Sequence, residues 1–337
     1  MFFDPKPRMT KQRLFNFFVG SRGDGKTTGS RNYGIDEYVK AKDRGERYEI
    51  AYVRRYKEER KISASKLFAD IGKFNYGMTF KTKGLDTFID DDHFCHCYAL
   101  SVDSRIKGAA SPDLRLIIFD EFLVDPKKSR YLPDEVNTFL GLYDTLARPT
   151  DPTRKPVTVL FLANSFSVNN PYFNFFHINF PKGKNTFMTK EIYAEIIQDQ
   201  EFEDHARNTR FGQLIAGTDY ARHSIENEFV LDDNSFIYPH FDKGQFLFTV
   251  KLKGIVYGCW VNWRNGTLYI STKYDPSCQC NYVFSRDDYS PNLLTAKRFK
   301  ETFHGKLTRD CYNAGAVYYE SLKVKSAFME IARLANL

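Results

Sequence analysis

Residues 20 to 28, Gly-Ser-Arg-Gly-Asp-Gly-Lys-Thr-Thr, place Gly20, Gly23 and Gly25 close together and follow them with a lysine and two hydroxyls. Gly20, Gly25, Lys26 and Thr27 fit the pattern G-x-x-x-x-G-K-[ST] without a mismatch. In that pattern glycines let backbone amides approach phosphate, the lysine reaches the outer phosphates, and the hydroxyl ligates Mg²⁺. The expected cradle runs through Gly20, Ser21, Arg22, Gly23, Asp24, Gly25, Lys26, Thr27 and Thr28. An acid inside it must point outward or be paired, and Arg22 is close enough in sequence to be the partner of Asp24. Magnesium is a hard ion that wants oxygen ligands, so a second acidic site is required. The run Leu-Ile-Ile-Phe-Asp-Glu at 116–121 supplies it: Asp120 would hold the metal with Thr27, and Glu121 would polarise or position an attacking water. A third apolar run, 157–165, ends in Asn164 and Ser165. Asn164 could sense the γ-phosphate, hydrogen-bond Glu121, or close the strand as an Asx turn.

These groups need a strand before the glycines and a helix after them. Leu14–Val19 is short, apolar and aromatic, a strand, and the residues after Thr28 carry apolar positions at helical spacing. Further strands are expected around Tyr48–Tyr56, which ends in Arg54, Arg55 and Lys57, and at 79–99, 114–121 and 157–164, with a helix at 133–148 opened by Pro133 and Asp134. Strands alternating with helices predict a mostly parallel sheet covered on both faces, an α/β fold. At 337 residues two domains are expected. Residues 189–230 read as polar helices bridging two bodies. From Ser235 aromatic and β-branched residues with glycine turns read as an antiparallel meander, closed by one helix over 314–335. The resulting division is 1–188 for the phosphate-binding domain, 189–232 for a helical linker and 233–337 for the last domain.

The net charge of +7 is compatible with a polyanionic partner but weak support for one. The N-terminal residues lack a secretory signal and no stretch approaches a bilayer span, so a soluble intracellular protein with free thiols is expected. Cys95/Cys97 and Cys278/Cys280, with His93 and His96, invite a metal reading. The C-x-C spacing argues instead for a strand with Cys95 and Cys97 on one face. Thr272–Asp275 looks superficially like a guanine-reading motif, but it lies in the late meander, and the 119–122 run lacks the D-x-x-G form. ATP is the expected nucleotide.

Asn16–Gly29, Tyr52–Glu59, Ile117–Phe122, Tyr131–Arg148, Ala163–Phe176, Thr209–Tyr220 and Gly258–Ser277 together resemble the DNA-packaging ATPases of phi29-like tailed phages, in order and over nearly the whole chain. The resemblance implies an additional-strand P-loop ATPase domain, related to large terminases, followed by an RNase-H-like domain. By that resemblance Lys26 and Thr27 match the P-loop, Asp120 and Glu121 the magnesium-binding and catalytic acids, and Asn164 the residue linking phosphate state to the glutamate. Arg148 matches an arginine offered to the neighbouring subunit's ATP site, and Lys107 a second basic residue across that interface. It also implies ATP and Mg²⁺, a homo-oligomeric ring read as a pentamer, double-stranded DNA, the procapsid connector or portal, a structural packaging RNA, and no membrane. The location implied is the host cytoplasm, docked at the procapsid vertex.

The leading reading is therefore a ring ATPase that drives double-stranded viral DNA into a preformed procapsid. Its DNA grip should come from phosphate contacts, with Arg54, Arg55 and Lys57 as candidates. The alternatives are a generic nucleic-acid-stimulated ATPase or helicase, a terminase with an active nuclease, and a non-catalytic nucleotide-binding scaffold. Lys251, Lys253, Trp260 and Tyr269 stand where a nuclease would want carboxylates, and Asp242 and Asp275 are isolated, so nuclease activity is not expected.

Overall fold

The computed structural model describes the chain except residues 1–2, 72–75, 104–110, 125–128, 149–154, 166, 168–169, 179, 181–183, 219–235, 240, 242–243 and 279–280. Two compact units emerge, Met1–Leu231 and Asp232–Leu337.

The first unit is built on nine strands: β1 Phe15–Gly20, β2 Glu49–Arg54, β3 Phe80–Lys83, β4 Asp86–Ile89, β5 Asp92–Ala99, β6 Leu114–Asp120, β7 Thr158–Asn164, β8 Thr186–Met188 and β9 Ile192–Ile196. Their order is β3-β4-β5-β2-β6-β7-β1-β9-β8. The six strands from β5 to β9 run parallel, and antiparallel hairpins close both edges. Every residue of β1 is buried, which a central parallel strand requires because helices cover both faces. The alternation is visible in the core. Phe15, Phe17 and Val19 of β1 join Val159, Phe161 and Ala163 of β7 on one face, while Phe18, Leu160 and Leu162 go to the other. Phe17 and Phe161 stack with ring centroids 4.2 Å apart. The helix Lys26–Asp43 buries Ile35 and Tyr38 against one face, and the helix Glu135–Ala147 buries Val136, Phe139, Leu142 and Leu146 against the other.

β7 lies between β1 and β6, so one additional strand separates the glycine-rich loop from the acidic strand end. The parallel register sets Gly20 opposite Asn164 and Asp120 opposite Leu162. The loop and the acids therefore leave the same edge of the sheet.

The stretch expected as a wholly helical linker from residue 189 opens instead with β9, which pairs with β1. Tyr193 and Ala194 are buried there, so apolar burial beside β1 overrides the polar appearance of the segment. Helices Gln200–Asn208 and Arg210–Ile215 follow. Among the described residues no helix is long and apolar enough to cross a membrane.

The second unit carries β10 Gln245–Leu252, β11 Ile255–Asn262, β12 Thr267–Ser271, β13 Asn281–Val283, β14 Leu294–Thr295 and β15 Val317–Tyr319 in the order β14-β13-β10-β11-β12-β15. β10 to β12 form the expected antiparallel meander, and β13 and then β14 add in parallel beside β10. That succession is the strand order of an RNase-H-like sheet. The single closing helix is corrected: Val317–Tyr319 is a strand parallel to β12, and the last helix, Leu322–Ala335, starts only after Ser321, whose hydroxyl accepts from the Val324 N–H. Gly315 at φ 65° breaks the helical path there.

A buried ion pair fastens β2 to the helix Glu135–Ala147. Arg55 donates from Nε and Nη2 to the two oxygens of Glu135 at 2.8 and 2.9 Å, and both side chains are almost wholly buried. Its remaining donors go to the carbonyls of Glu121 (2.9 Å) and Phe122 (2.7 Å), and Tyr172 donates to Glu135 at 2.9 Å. Removing one partner strands a buried charge, a loss of about 3–5 kcal/mol. Arg55→Met should thus lower the first unfolding transition of the full chain by roughly 6–20 °C. Adding Glu135→Leu should recover much of the loss. Calorimetry showing the single and double variants equally destabilised, or neither, would contradict this account.

Candidate active site

The loop between β1 and the helix Lys26–Asp43 turns through Gly23 (φ 90°) and Gly25 (φ 86°), backbone conformations that favour glycine. Gly25 is the N-cap, so the helix N-terminus points into the loop. Such a terminus attracts anions through its free N–H groups and its dipole.

The anion in place is a side chain. Asp24 Oδ1 accepts from the Lys26 backbone N–H at 3.1 Å, and the Lys26 ammonium donates to both Asp24 oxygens at 2.9 and 3.0 Å. Lys26 also donates to the Ser21 carbonyl at 2.7 Å and reaches Asn164 Oδ1 at 3.5 Å. A Cβ at Gly20 would meet Asp24 Oδ2 at 2.3 Å, so the carboxylate lies in space that only glycine leaves open. Both residues are buried, Asp24 3% and Lys26 6% exposed. Burial raises the Asp24 pKa and lowers that of Lys26, working against the two charges that their attraction holds together. The partner of Asp24 is therefore Lys26, and Arg22, expected in that role, is exposed.

At the end of β6, Asp120 Oδ2 accepts from Thr27 Oγ1 at 2.9 Å and from the Tyr52 hydroxyl at 2.5 Å, while Oδ1 accepts the Glu121 N–H at 3.0 Å. The hydroxyl of the loop and the acid of β6 thus meet, as the motif requires. Thr28, one residue on, lines a cavity of about 300 Å³ with Thr27, Arg31, Tyr52, Lys66 and Leu67. Glu121 sits at φ 58°, a conformation uncommon for a non-glycine residue. Its half-exposed carboxylate accepts from Arg54 Nη2 at 2.8 Å, and Arg54 Nη1 lies 3.5 Å from Asp120.

Lys26, Thr27, Asp120, Glu121 and Asn164 are brought to one edge. Asn164 meets Lys26 there, and the partner of Glu121 is Arg54. Arg54 and Arg55 are corrected as DNA-gripping candidates, because Arg54 is committed to the two acids and Arg55 is buried on Glu135. Lys57 opens an exposed helix turn. Tyr52 and Arg54 are site residues that the sequence does not single out; the register of β2 beside β6, with Val53 opposite Phe119, sets Arg54 level with Asp120. Arg148 ends the helix Glu135–Ala147, exposed, with a 3.5 Å ion pair to Asp144. Lys107 lies outside the described residues, as do Asp242 and Cys280. Cys95 and Cys97 are buried on one face of β5.

Residues 1–336 match the family described as Podovirus DNA encapsidation protein (Gp16). The chain belongs to this family. It is similar to the DNA packaging protein of Bacillus phage phi29, 31% identical over 333 residues that cover 99% of this chain and 97% of the relative. That of Bacillus phage B103 is 32% identical over 323 residues, covering 96% and 98%. A solved structure of the bacteriophage phi29 genome packaging motor assembly aligns with a TM-score of 0.79 at 30% identity, covering 99% of each chain. Membership supports an ATPase and favours the packaging reading over a free-standing helicase or a nuclease-bearing terminase.

Asp24 has a consequence for any phosphate that enters this family member's loop. The incoming anion must part Lys26 from Asp24 and displace a like charge. Asp24→Asn should therefore tighten ATP binding about tenfold or more, the equivalent of 1.4 kcal/mol. Fluorescent-nucleotide titration measures it, and unchanged or weaker binding would show that Asp24 does not compete.

Proposed function

We propose that this chain is the ATPase of a ring motor that couples ATP hydrolysis to movement of double-stranded DNA into a preformed procapsid. The observation that carries this reading is the meeting of Thr27 with Asp120, beside Lys26 and Glu121, in a chain that matches the encapsidation family from end to end. The donor set suits Mg²⁺: a hydroxyl and a carboxylate oxygen converge, which is what a hard ion retaining several waters takes. Thr27 and Asp120 would hold the ion, and when bound it supplies charge neutralisation for the phosphates.

The protein's own contributions follow from the geometry. Lys26, once released from Asp24, is the cation nearest the loop amides and neutralises phosphate charge. Tyr52 and the Glu121 N–H orient the Asp120 carboxylate. Glu121 accepts the proton of the attacking water, for which its carboxylate must leave Arg54. Arg54 then remains as a cation beside Asp120. Arg148 is exposed, its pair with Asp144 is worth only about 0.3–0.5 kcal/mol, and the resemblance assigns it to a neighbouring subunit's site. Lys107 is assigned to the same interface by resemblance alone. In the same reading the ring is a pentamer that docks on the connector of the procapsid vertex in the host cytoplasm, contacts a structural packaging RNA, and performs no nuclease chemistry. Lys251 and Lys253 of β10 and its turn support the last point, being paired with Asp288 and Glu330 at 3.4 and 2.9 Å.

Glu121→Gln should lower ATP turnover by about 10²–10⁴ while nucleotide binding survives. In a reconstituted assay with empty procapsids and linear duplex, nuclease-protected DNA should appear with the native chain and vanish with Lys26→Ala. Equal protection with Lys26→Ala would remove the motor reading. Arg148→Ala should cost about 10³ or more in turnover. Mixing it with Lys26→Ala chains should restore part of the rate, since each supplies what its neighbour lacks; strictly additive inactivity would place Arg148 outside the site in trans.

A further inference from the structure

The hairpin edge of the large sheet carries a side-chain cluster that the nucleotide site does not use. β4 and β5 pair with Asp86 opposite His96, but the register shifts so that Phe88 faces His93 while Thr87 faces Cys95. Residues three apart in a regular strand lie on opposite faces. The extra residue at this bulge, Phe94, turns His93 onto the face of His96, while Phe94, Cys95 and Cys97 are buried. Bulges re-aim side chains in this way.

On that face Asp86 Oδ1 lies 3.0 Å from His93 Nε2 and 2.6 Å from His96 Nδ1, and the three atoms lie within 4.8 Å of one another. The other ring nitrogen of His93, Nδ1, is 3.0 Å from Glu49 Oε1 on β2, and Glu49 Oε2 accepts from Ser111 Oγ at 2.6 Å. Each of the three side chains is about one-third exposed.

We propose that Asp86, His93 and His96 form a binding site for a divalent transition ion of the zinc type. Two imidazoles and a carboxylate are the donors such an ion prefers, whereas Mg²⁺ takes oxygen and keeps to the site at Thr27 and Asp120. Ligands about 2.0–2.2 Å from a tetrahedral ion stand roughly 3.3–3.5 Å from one another, so the pairs seen at 2.6 and 3.0 Å need only a small spreading. Glu49 supplies the outer carboxylate that typically orients a metal-binding histidine. With the ring proton of His93 kept on Nδ1 and given to Glu49, Nε2 presents its lone pair to the ion. Binding releases to solvent the Nε2 proton that His93 shares with Asp86, while the Nδ1 proton of His96 moves to its own Nε2, so that each imidazole meets the ion with a lone pair. Partial exposure leaves the fourth position to water. The ion would tie β4 to β5, and through Glu49 to β2, clamping the edge hairpin to the parallel sheet. The cysteines beside it contribute no ligand, because both are buried in the core.

The test uses the full chain, stripped with a chelator and held in excess Mg²⁺. Calorimetric titration with Zn²⁺ should show one equivalent that His96→Ala and Asp86→Asn each lose, and Zn²⁺ should raise the thermal midpoint of the native chain only. Glu49→Gln should keep the stoichiometry with affinity about 10–100-fold weaker. Co²⁺ should give visible d–d bands without thiolate charge transfer. The proposal fails if no Zn²⁺ binds above Mg²⁺, if the equivalent survives in either variant that has kept its fold, or if the cobalt spectrum reports thiolate ligands. Thermal unfolding without metal identifies a variant that has lost its fold, and the other variant then decides.

Discussion

The active edge depends on the buried pair between Arg55 and Glu135. Taking two charges from water is repaid only when geometry is good and the remaining donors and acceptors are filled. Here Glu135 accepts the arginine fork, the Tyr172 hydroxyl and the Leu132 N–H, and Arg55 spends its other donors on the carbonyls of Glu121 and Phe122. The return is positional. Those two carbonyls fix the turn that follows β6 and hold Glu121 in a left-handed conformation that a glutamate does not choose for itself. A helix on one face of the sheet thereby sets the backbone of the proposed base on its edge.

The neighbouring arginine has the complementary task. Successive side chains near the end of a strand point to opposite sides, so Arg55 goes into the core while Arg54 turns to the acids. The site is consequently neutralised from within: Lys26 faces Asp24, Arg54 faces Glu121 and Asp120, and Thr27 and Tyr52 donate to Asp120. On the proposed reading, substrate binding exchanges partners instead of filling a charged void. A triphosphate takes Lys26 from Asp24, and Glu121 becomes a base only when Arg54 finds other acceptors.

Motif and strand pattern made the α/β class, the loop and its acids legible, because a glycine-rich turn after a buried strand and an acidic strand end are local signals. Tyr52, Arg54 and Arg55 were not legible in the same way. A basic run after a strand has the composition of a solvated helix start, and only the register of β2 beside β6 shows that it meets acids. The same limit hid the Lys26–Asp24 pair, since side-chain direction within a tight turn is set by φ at Gly23 and Gly25. β9 and β15 were lost to tertiary context: short segments with polar or helical neighbours become strands because an open sheet edge offers them backbone partners. The Cys95/Cys97 strand was read correctly, but a bulge that no composition reveals placed His93 and His96 together.

The exchange at the loop reaches beyond it. The ring of Phe202, in the helix Gln200–Asn208, lies 3.5 Å from the position a Cβ would take on Gly23. Asp199, which caps that helix by accepting the Phe202 N–H at 3.0 Å, is near enough for its charge to add to the burial that raises the Asp24 pKa. A carboxylate driven from the cradle would therefore alter the field around Asp199, and any shift of Gly23 would disturb the seat of Phe202. None of the residues of helix Gln200–Asn208 is buried in the core. Phe202 and Asp199 thus place the start of this helix beside the two loop positions, Gly23 and Asp24, that an entering phosphate must disturb on the proposed reading.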